Sequence, residues 1–230
     1  MYIELGQIQS SGYLPTTQLP TFEYPIRSPQ EILSLFPNGK VPIFGYGSLL
    51  NPASAARHLS QDALNSSRLT IAFGLRRVFD RAVGGPTHWG VPEKPNDTGM
   101  LNVQLTGQPD DLVNGVVMEL DEADLLSVIS REKGYDLVPV PVIYWDEAEY
   151  LSPQVFYAYT FRASTEAREG IVYTSPSVNP IPGYALASKE GAELYGQSFL
   201  EFWLATTFLA DGETPFAEWE QNPNLDLGIC

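Results

Sequence analysis

Seven consecutive residues, Phe44-Gly45-Tyr46-Gly47-Ser48-Leu49-Leu50, carry the first half of a candidate active site. Behind them Asn51-Pro52 reads as an N-cap followed by a proline in the first helical position. The amides of Gly47, Ser48 and Leu49 then stand in a glycine-bearing turn ahead of a helix N-terminus. Free N–H groups and the positive end of a helix dipole there favour a carboxylate or a developing oxyanion. The second half is a single carboxylate. Leu125, Ile129 and Glu132 follow one another at spacings of four and three, which puts Glu132 on the stripe that apolar residues claim for the core. Burial there, with the negative end of the helix dipole, disfavours the charged carboxylate. That suits Glu132 to take and return a proton near neutral pH.

These two halves need elements to hold them. Residues 41–44 read as a buried strand that enters the turn, and a helix is expected from Asn51 through Leu59. Asp121 is the expected N-cap of the Glu132 helix, with Glu122 and Asp124 in its first turn and Gly134 as its stop. Ser28-Pro29-Gln30-Glu31 is a capping-box arrangement that announces a short earlier helix. Strands are expected at 69–79, with Gly74 marking a bulge, and at 100–105, 115–120, 137–145 and 153–161. Pro139 and Pro141 lack N–H groups on the same side of their strand, which places it at an edge or a bulge. Helices at 184–195 and 198–210 follow, and the last 20 residues look irregular. Strands joined by few helices indicate an α+β fold with a curled or barrel-like sheet.

Composition narrows the function. Thirteen Lys and Arg stand against 28 acidic residues, a formal charge of −15, which argues against nucleic acid and anionic membranes as partners. A small anionic ligand stays possible, because a local site can be positive within a negative protein. Hydrophobic content of 43% with 12 Tyr, 11 Phe and 4 Trp fits a folded domain rather than a disordered chain. Cys230 is the one cysteine, so no intrachain disulfide can form. With no visible secretory signal and no run near the roughly 20 apolar residues of a membrane span, the expected location is the cytoplasm. Other chemistries lack their residues. No third glycine completes a dinucleotide fingerprint, no P-loop lysine follows, and Ser48 is not flanked by the glycines of a nucleophile elbow.

Taken in order, several segments resemble the γ-glutamylcyclotransferase superfamily. Phe44-Gly45-Tyr46-Gly47-Ser48-Leu49 is similar to its Tyr-Gly-Ser-Leu signature, and Gly74-Leu75-Arg76-Arg77-Val78-Phe79 to its second strand. Leu101-Asn102-Val103 and Gly115-Val116-Val117-Met118-Glu119-Leu120 resemble its central hairpin. Ser130-Arg131-Glu132-Lys133-Gly134-Tyr135 resembles its catalytic-glutamate segment, and Pro182-Gly183-Tyr184 its closing helix start. The resemblance spans residues 41–205. It leaves residues 1–40 as an N-terminal extension with a short helix and 206–230 as a C-terminal tail, all in one globular domain.

The resemblance implies a mixed, largely antiparallel β-barrel with flanking helices and a helical C-terminal region. It also implies a reaction without cofactor or metal: a γ-glutamyl group closes to 5-oxoproline and releases an amine or amino acid. Glu132 would be the general acid/base, and Tyr46, Gly47, Ser48 and Leu49 would bind the small-molecule γ-glutamyl substrate. Tyr135 follows the glutamate, and Tyr159 lies on a strand where the family often carries a tyrosine; both are expected near the substrate. Arg76 and Arg77 are candidates for contacting its carboxylate. Lys133 or Arg131 could pair with Glu132, and oligomeric state is not legible. A non-catalytic, metabolite-binding member of the same fold is the competing expectation, motivated by an N-terminal segment that could cover the cavity.

Overall fold

The computed structural model describes residues 18–84, 87, 89–90, 92, 94–148 and 153–222. Its centre is a closed five-stranded barrel. In chain order it uses β1 (Val41–Gly45), β2 (Arg68–Phe73), β5 (Leu112–Leu120), β6 (Tyr135–Tyr144) and β7 (Phe156–Ala163). Around the barrel they run β1-β5-β2-β6-β7, and Ile43 closes the ring by pairing in parallel with Tyr159. The other neighbours are antiparallel. A separate sheet joins β3 (Leu75–Ala82), β4 (Gly99–Leu105) and β8 (Thr207–Phe208) in the order β4-β3-β8. The fold class is thus α+β with a mixed barrel, as expected.

Gly74 does more than bulge a strand. Its φ of +70° is a left-handed conformation open to glycine at little cost, and it turns the chain out of the barrel into the second sheet. The expected strand over 69–79 is therefore two strands, β2 and β3. The prolines of β6 explain themselves locally. Leu137 exchanges both main-chain hydrogen bonds with Phe22, at 2.9 and 2.8 Å, so its N–H points away from β7. Pro139 and Pro141, two and four residues on, present their missing N–H groups to that same side, before β2 begins to pair at Val142.

The helices are α1 (Pro29–Ser34), α2 (Pro52–Ala55), α3 (Gln61–Asn65), α4 (Glu122–Arg131), α5 (Pro182–Glu193), α6 (Gln197–Ala205) and α7 (Phe216–Gln221), and α2 and α6 are shorter than their patterns suggest. Asn51 does cap α2, accepting from the amides of Ala53 and Ser54 at 3.0 and 3.3 Å, but α-helical geometry ends at Ala55. The last segment is not wholly irregular, since α7 buries Phe216 against Trp203 and Trp219 against Phe216. Packing decides here, because a rim of aromatic contacts orders what local pattern leaves undefined.

One core feature fixes the approach of β1 to β5. A Cβ added to Gly115 would lie 2.5 Å from both the Gly45 carbonyl oxygen and the Phe44 ring, so only a glycine lets these strands and that ring share the space. Arg77 is fully buried beside this region. It donates to the Asn114 carbonyl and side-chain oxygens at 2.9 and 2.6 Å and lies over the Trp203 ring, and burial pulls its pKa down to about 9.

Candidate active site

Residues from the end of β1, from β3 and β4 and from the end of α4 surround a cavity of about 260 Å³. Tyr46, Gly47, Ser48 and Leu49 lie on its wall, as do Glu132 and Tyr135. The signature turn and the glutamate, more than 80 residues apart in sequence, therefore share one space. The turn is a short 3-10 helix over Ser48–Leu50, closed by the Leu50 amide donating to the Gly47 carbonyl at 2.9 Å. The helix behind it has four residues, so the expected dipole is small. Whatever anion preference the turn has rests on its own amides.

Glu132 is not a helical residue. It is the C-cap of α4, with φ −84° and ψ 59°, and the Lys133 amide donates to the Arg131 carbonyl at 2.9 Å across it. That is an inverse γ-turn with the glutamate at its apex. Gly134 follows at φ +78° and reverses the chain into β6, as the helix-stop reading expected. The turn, rather than a helix face, presents the carboxylate to the cavity.

Its partner is Arg131, not Lys133. Arg131 Nε lies 2.9 Å from Glu132 Oε1, and its Nη2 donates to the Ser48 hydroxyl at 3.0 Å. One guanidinium thus ties the glutamate to the signature turn. This bridge was not visible in the sequence, although Arg131 stands next to the glutamate. The pair is largely screened from solvent, with side-chain exposures of 22% and 15%, so its geometry is better held than that of a free surface pair.

The tyrosines divide. Tyr46 donates its hydroxyl to the Phe161 carbonyl at 2.7 Å, and Tyr135 to the Leu101 carbonyl at 3.0 Å. Burial pushes both phenols well above their ordinary pKa, so they are neutral donors that build the wall. Tyr159 is a correction: it does not line the cavity. Its hydroxyl donates to the Pro20 carbonyl at 2.9 Å, and its ring packs against Phe22 and Phe36. The extended segment ahead of α1 claims this side chain, and Phe161, two residues further along β7, lines the cavity instead.

Arg76 and Arg77 also lie elsewhere, the first paired with Asp111 at 3.0 Å and the second in the core. Arg81, later on the same strand, is the arginine of β3 that reaches the cavity. Tyr184 is a further wall residue, its phenol pushed up to about 12 by burial. Its signal was the Pro182-Gly183-Tyr184 segment. Val83, Trp89 and Met100 add an apolar side to the cavity.

Gly47 faces Tyr184 closely, since a Cβ built there would lie 2.6 Å from the phenol oxygen. Gly47→Ala is expected to displace either the turn or the ring and to cost about 1–3 kcal/mol of stability. Melting curves check this, and adding Tyr184→Phe to remove the obstructing oxygen should recover part of the lost Tm.

Comparison with known proteins gives the fold an independent footing. No protein-family model matches the chain, and no curated protein does. Among solved structures, YkqA from Bacillus subtilis is similar at 18% identity and a TM-score of 0.50, over 75% of this chain and 55% of that one. A structure described as gamma-glutamyl cyclotransferase is similar at 16% identity and a TM-score of 0.48, over 73% of this chain and 88% of that one. The yeast gamma-glutamyl cyclotransferase specific to glutathione stands at 18% and 0.44, covering 72% and 87%. At such identities the likeness concerns the fold alone. The chain has a fold similar to that of YkqA. Among the described residues no helix is long and apolar enough to cross a membrane.

Proposed function

We propose that this protein is a γ-glutamylcyclotransferase-type enzyme, in which Glu132 is the general acid/base. The observation that carries the reading is the meeting of the Tyr46–Leu49 turn and Glu132 on one cavity wall, bridged by Arg131. In the reaction the α-nitrogen of a γ-glutamyl group attacks its own γ-carbonyl carbon. Glu132 takes the proton that this nitrogen sheds and returns it to the leaving nitrogen. The new C–N bond closes 5-oxoproline, and the old one breaks to release an amine or amino acid. The turn amides of Gly47 to Leu49 hold the substrate carboxylate, the developing oxyanion, or both. The cavity wall folds the flexible glutamyl chain into an attacking shape, so orientation supplies much of the rate.

The test is 5-oxoproline release from a panel of γ-glutamyl amino acids, γ-glutamyl amines and glutathione. Release from one class names the leaving group. No release from any member by folded protein would overturn the enzymatic reading in favour of a metabolite-binding barrel.

A further inference from the structure

We propose that Arg81, with Lys133 beside it, anchors a second negative charge on the leaving side of the substrate. The site then selects γ-glutamyl compounds whose released amine bears a carboxylate. The inference rests on the cyclotransferase reading and assigns a specificity residue within it.

The charge balance of the cavity wall is the starting point. Three cations, Arg81, Arg131 and Lys133, face one carboxylate, Glu132, in a chain whose formal charge is −15. Arg131 is matched by its pair with Glu132. Arg81 and Lys133 have no carboxylate partner among the described residues. Lys133 is exposed, so water can hold its charge. Arg81 is 7% exposed, and a guanidinium so buried is costly to leave without a counter-charge.

What surrounds Arg81 softens that cost without cancelling it. Its terminal nitrogens donate to the main-chain carbonyls of Ala82 and, at 2.7 Å, Lys133, while its buried Nε has no partner among the described residues. The guanidinium carbon lies 5.2 and 4.7 Å from the ring centres of Tyr135 and Tyr173. Asp80, its neighbour in the chain, is taken by Asn102 and Gln104 at 2.9 Å each. A preorganised cation with only neutral partners at a cavity wall is a site built for an anion that arrives from outside.

Connectivity says which anion. Arg131 binds the signature turn, and the Lys133 carbonyl binds Arg81, so Glu132 sits in the chain between two anchored ends. In the proposed reaction Glu132 receives a proton from the α-nitrogen and delivers it to the leaving nitrogen. Of the roles open to the signature turn, the anchor requires that it hold the α-carboxylate, which shares a carbon with the α-nitrogen. The leaving group then extends toward Arg81 and Lys133.

The experiment compares γ-glutamylglycine with γ-glutamylglycinamide, which differ in that one charge. Wild-type kcat/KM is expected to favour the acid by about 10–100-fold. In Arg81→Gln this ratio should fall to near one, through a higher KM for the acid, and Arg81→Lys should restore part of it. Equal turnover of acid and amide by the wild type would overturn the anchor while leaving the cyclotransferase reading intact. A loss of kcat on both substrates alike in Arg81→Gln would also overturn it, by showing that Arg81 only holds the Lys133 carbonyl. Should Arg81→Gln fail to fold, the wild-type ratio and its reduction in Lys133→Gln carry the test. If neither compound is turned over, the substrate panel decides the cyclotransferase reading and binding decides the anchor separately. The larger Tm shift of Glu132→Gln with the acid supports Arg81, and equal shifts sink it.

Discussion

Glu132→Gln is expected to lower 5-oxoproline release by about two to four orders of magnitude, the range that loss of a positioned proton carrier produces. Glutamine keeps the shape of the side chain and a carbonyl oxygen where Arg131 Nε now binds Oε1 at 2.9 Å. The inverse γ-turn is made by the main chain, through the Lys133 amide and the Arg131 carbonyl, so the substitution leaves it in place. The lost ion pair should change stability by about 1 kcal/mol, because glutamine still accepts from Arg131 and both side chains keep partial contact with solvent. The chemistry and the fold therefore separate in this variant: melting stays close to wild type while turnover disappears. Glu132→Asp gives the complementary result. It retains an ionisable carboxyl but withdraws it by about one methylene, and it should fall between the two in rate. A Glu132→Gln protein with full activity would remove Glu132 from the reaction.

The halves of this site were legible because each is local. A Tyr-Gly-Ser-Leu turn after an apolar strand and a glutamate ahead of a glycine stop are short patterns, although Glu132 stands at a turn apex and not on the expected helix face. Asp121 caps α4 as expected, accepting from the Asp124 amide at 3.0 Å. The barrel was legible as a class, through strands joined by few helices, whereas the β6 prolines, read as an edge or a bulge, lie in a strand with β2 on one side and β7 on the other. What pattern could not supply was any property set across the barrel. Arg131 joins Ser48 across 83 residues, and Arg81 meets the Lys133 carbonyl across 52. Tyr159 has the residue type and strand expected of a substrate contact, yet Pro20 and Phe22 occupy its face. Gly74 was read as a bulge because nothing nearby says that the next strand belongs to another sheet. Periodicity reports which residues are buried, and the tertiary partner decides against what.

The same long-range logic makes Asp136 the largest expected stability site. Its side chain is fully buried at the start of β6, and three groups converge on it through four hydrogen bonds. Arg168 approaches Oδ2 at 2.9 Å through Nη2 and Oδ1 at 2.9 Å through Nε, a two-pronged pair. Arg162 reaches Oδ2 at 3.2 Å, and the Tyr24 amide donates to Oδ1 at 3.0 Å. Burial by itself would raise this carboxyl's pKa, but the hydrogen bonds from Arg168, Tyr24 and Arg162 outweigh it and hold it below the ordinary carboxylate range. Asp136→Ala is expected to cost about 2–4 kcal/mol, chiefly by removing the buried counter-charge of Arg168 and leaving it only the exposed Glu23 and Glu166. The sign with pH follows from the lowered pKa. The carboxylate's contribution is fully present above the unfolded value of about 4 and is lost as pH falls through the lower folded value. Wild-type Tm should therefore drop in acid below about pH 4, and Asp136→Asn should start lower and fall less steeply there. The Tyr24 contact gives this cluster a second consequence. Together with the Phe22–Leu137 pair and the Tyr159–Pro20 bond, it fastens residues 20–24 along the barrel rather than over the cavity. Removing residues 1–27 should accordingly lower Tm without raising activity; a stable, more active shortened protein would show that the segment restrains the site instead.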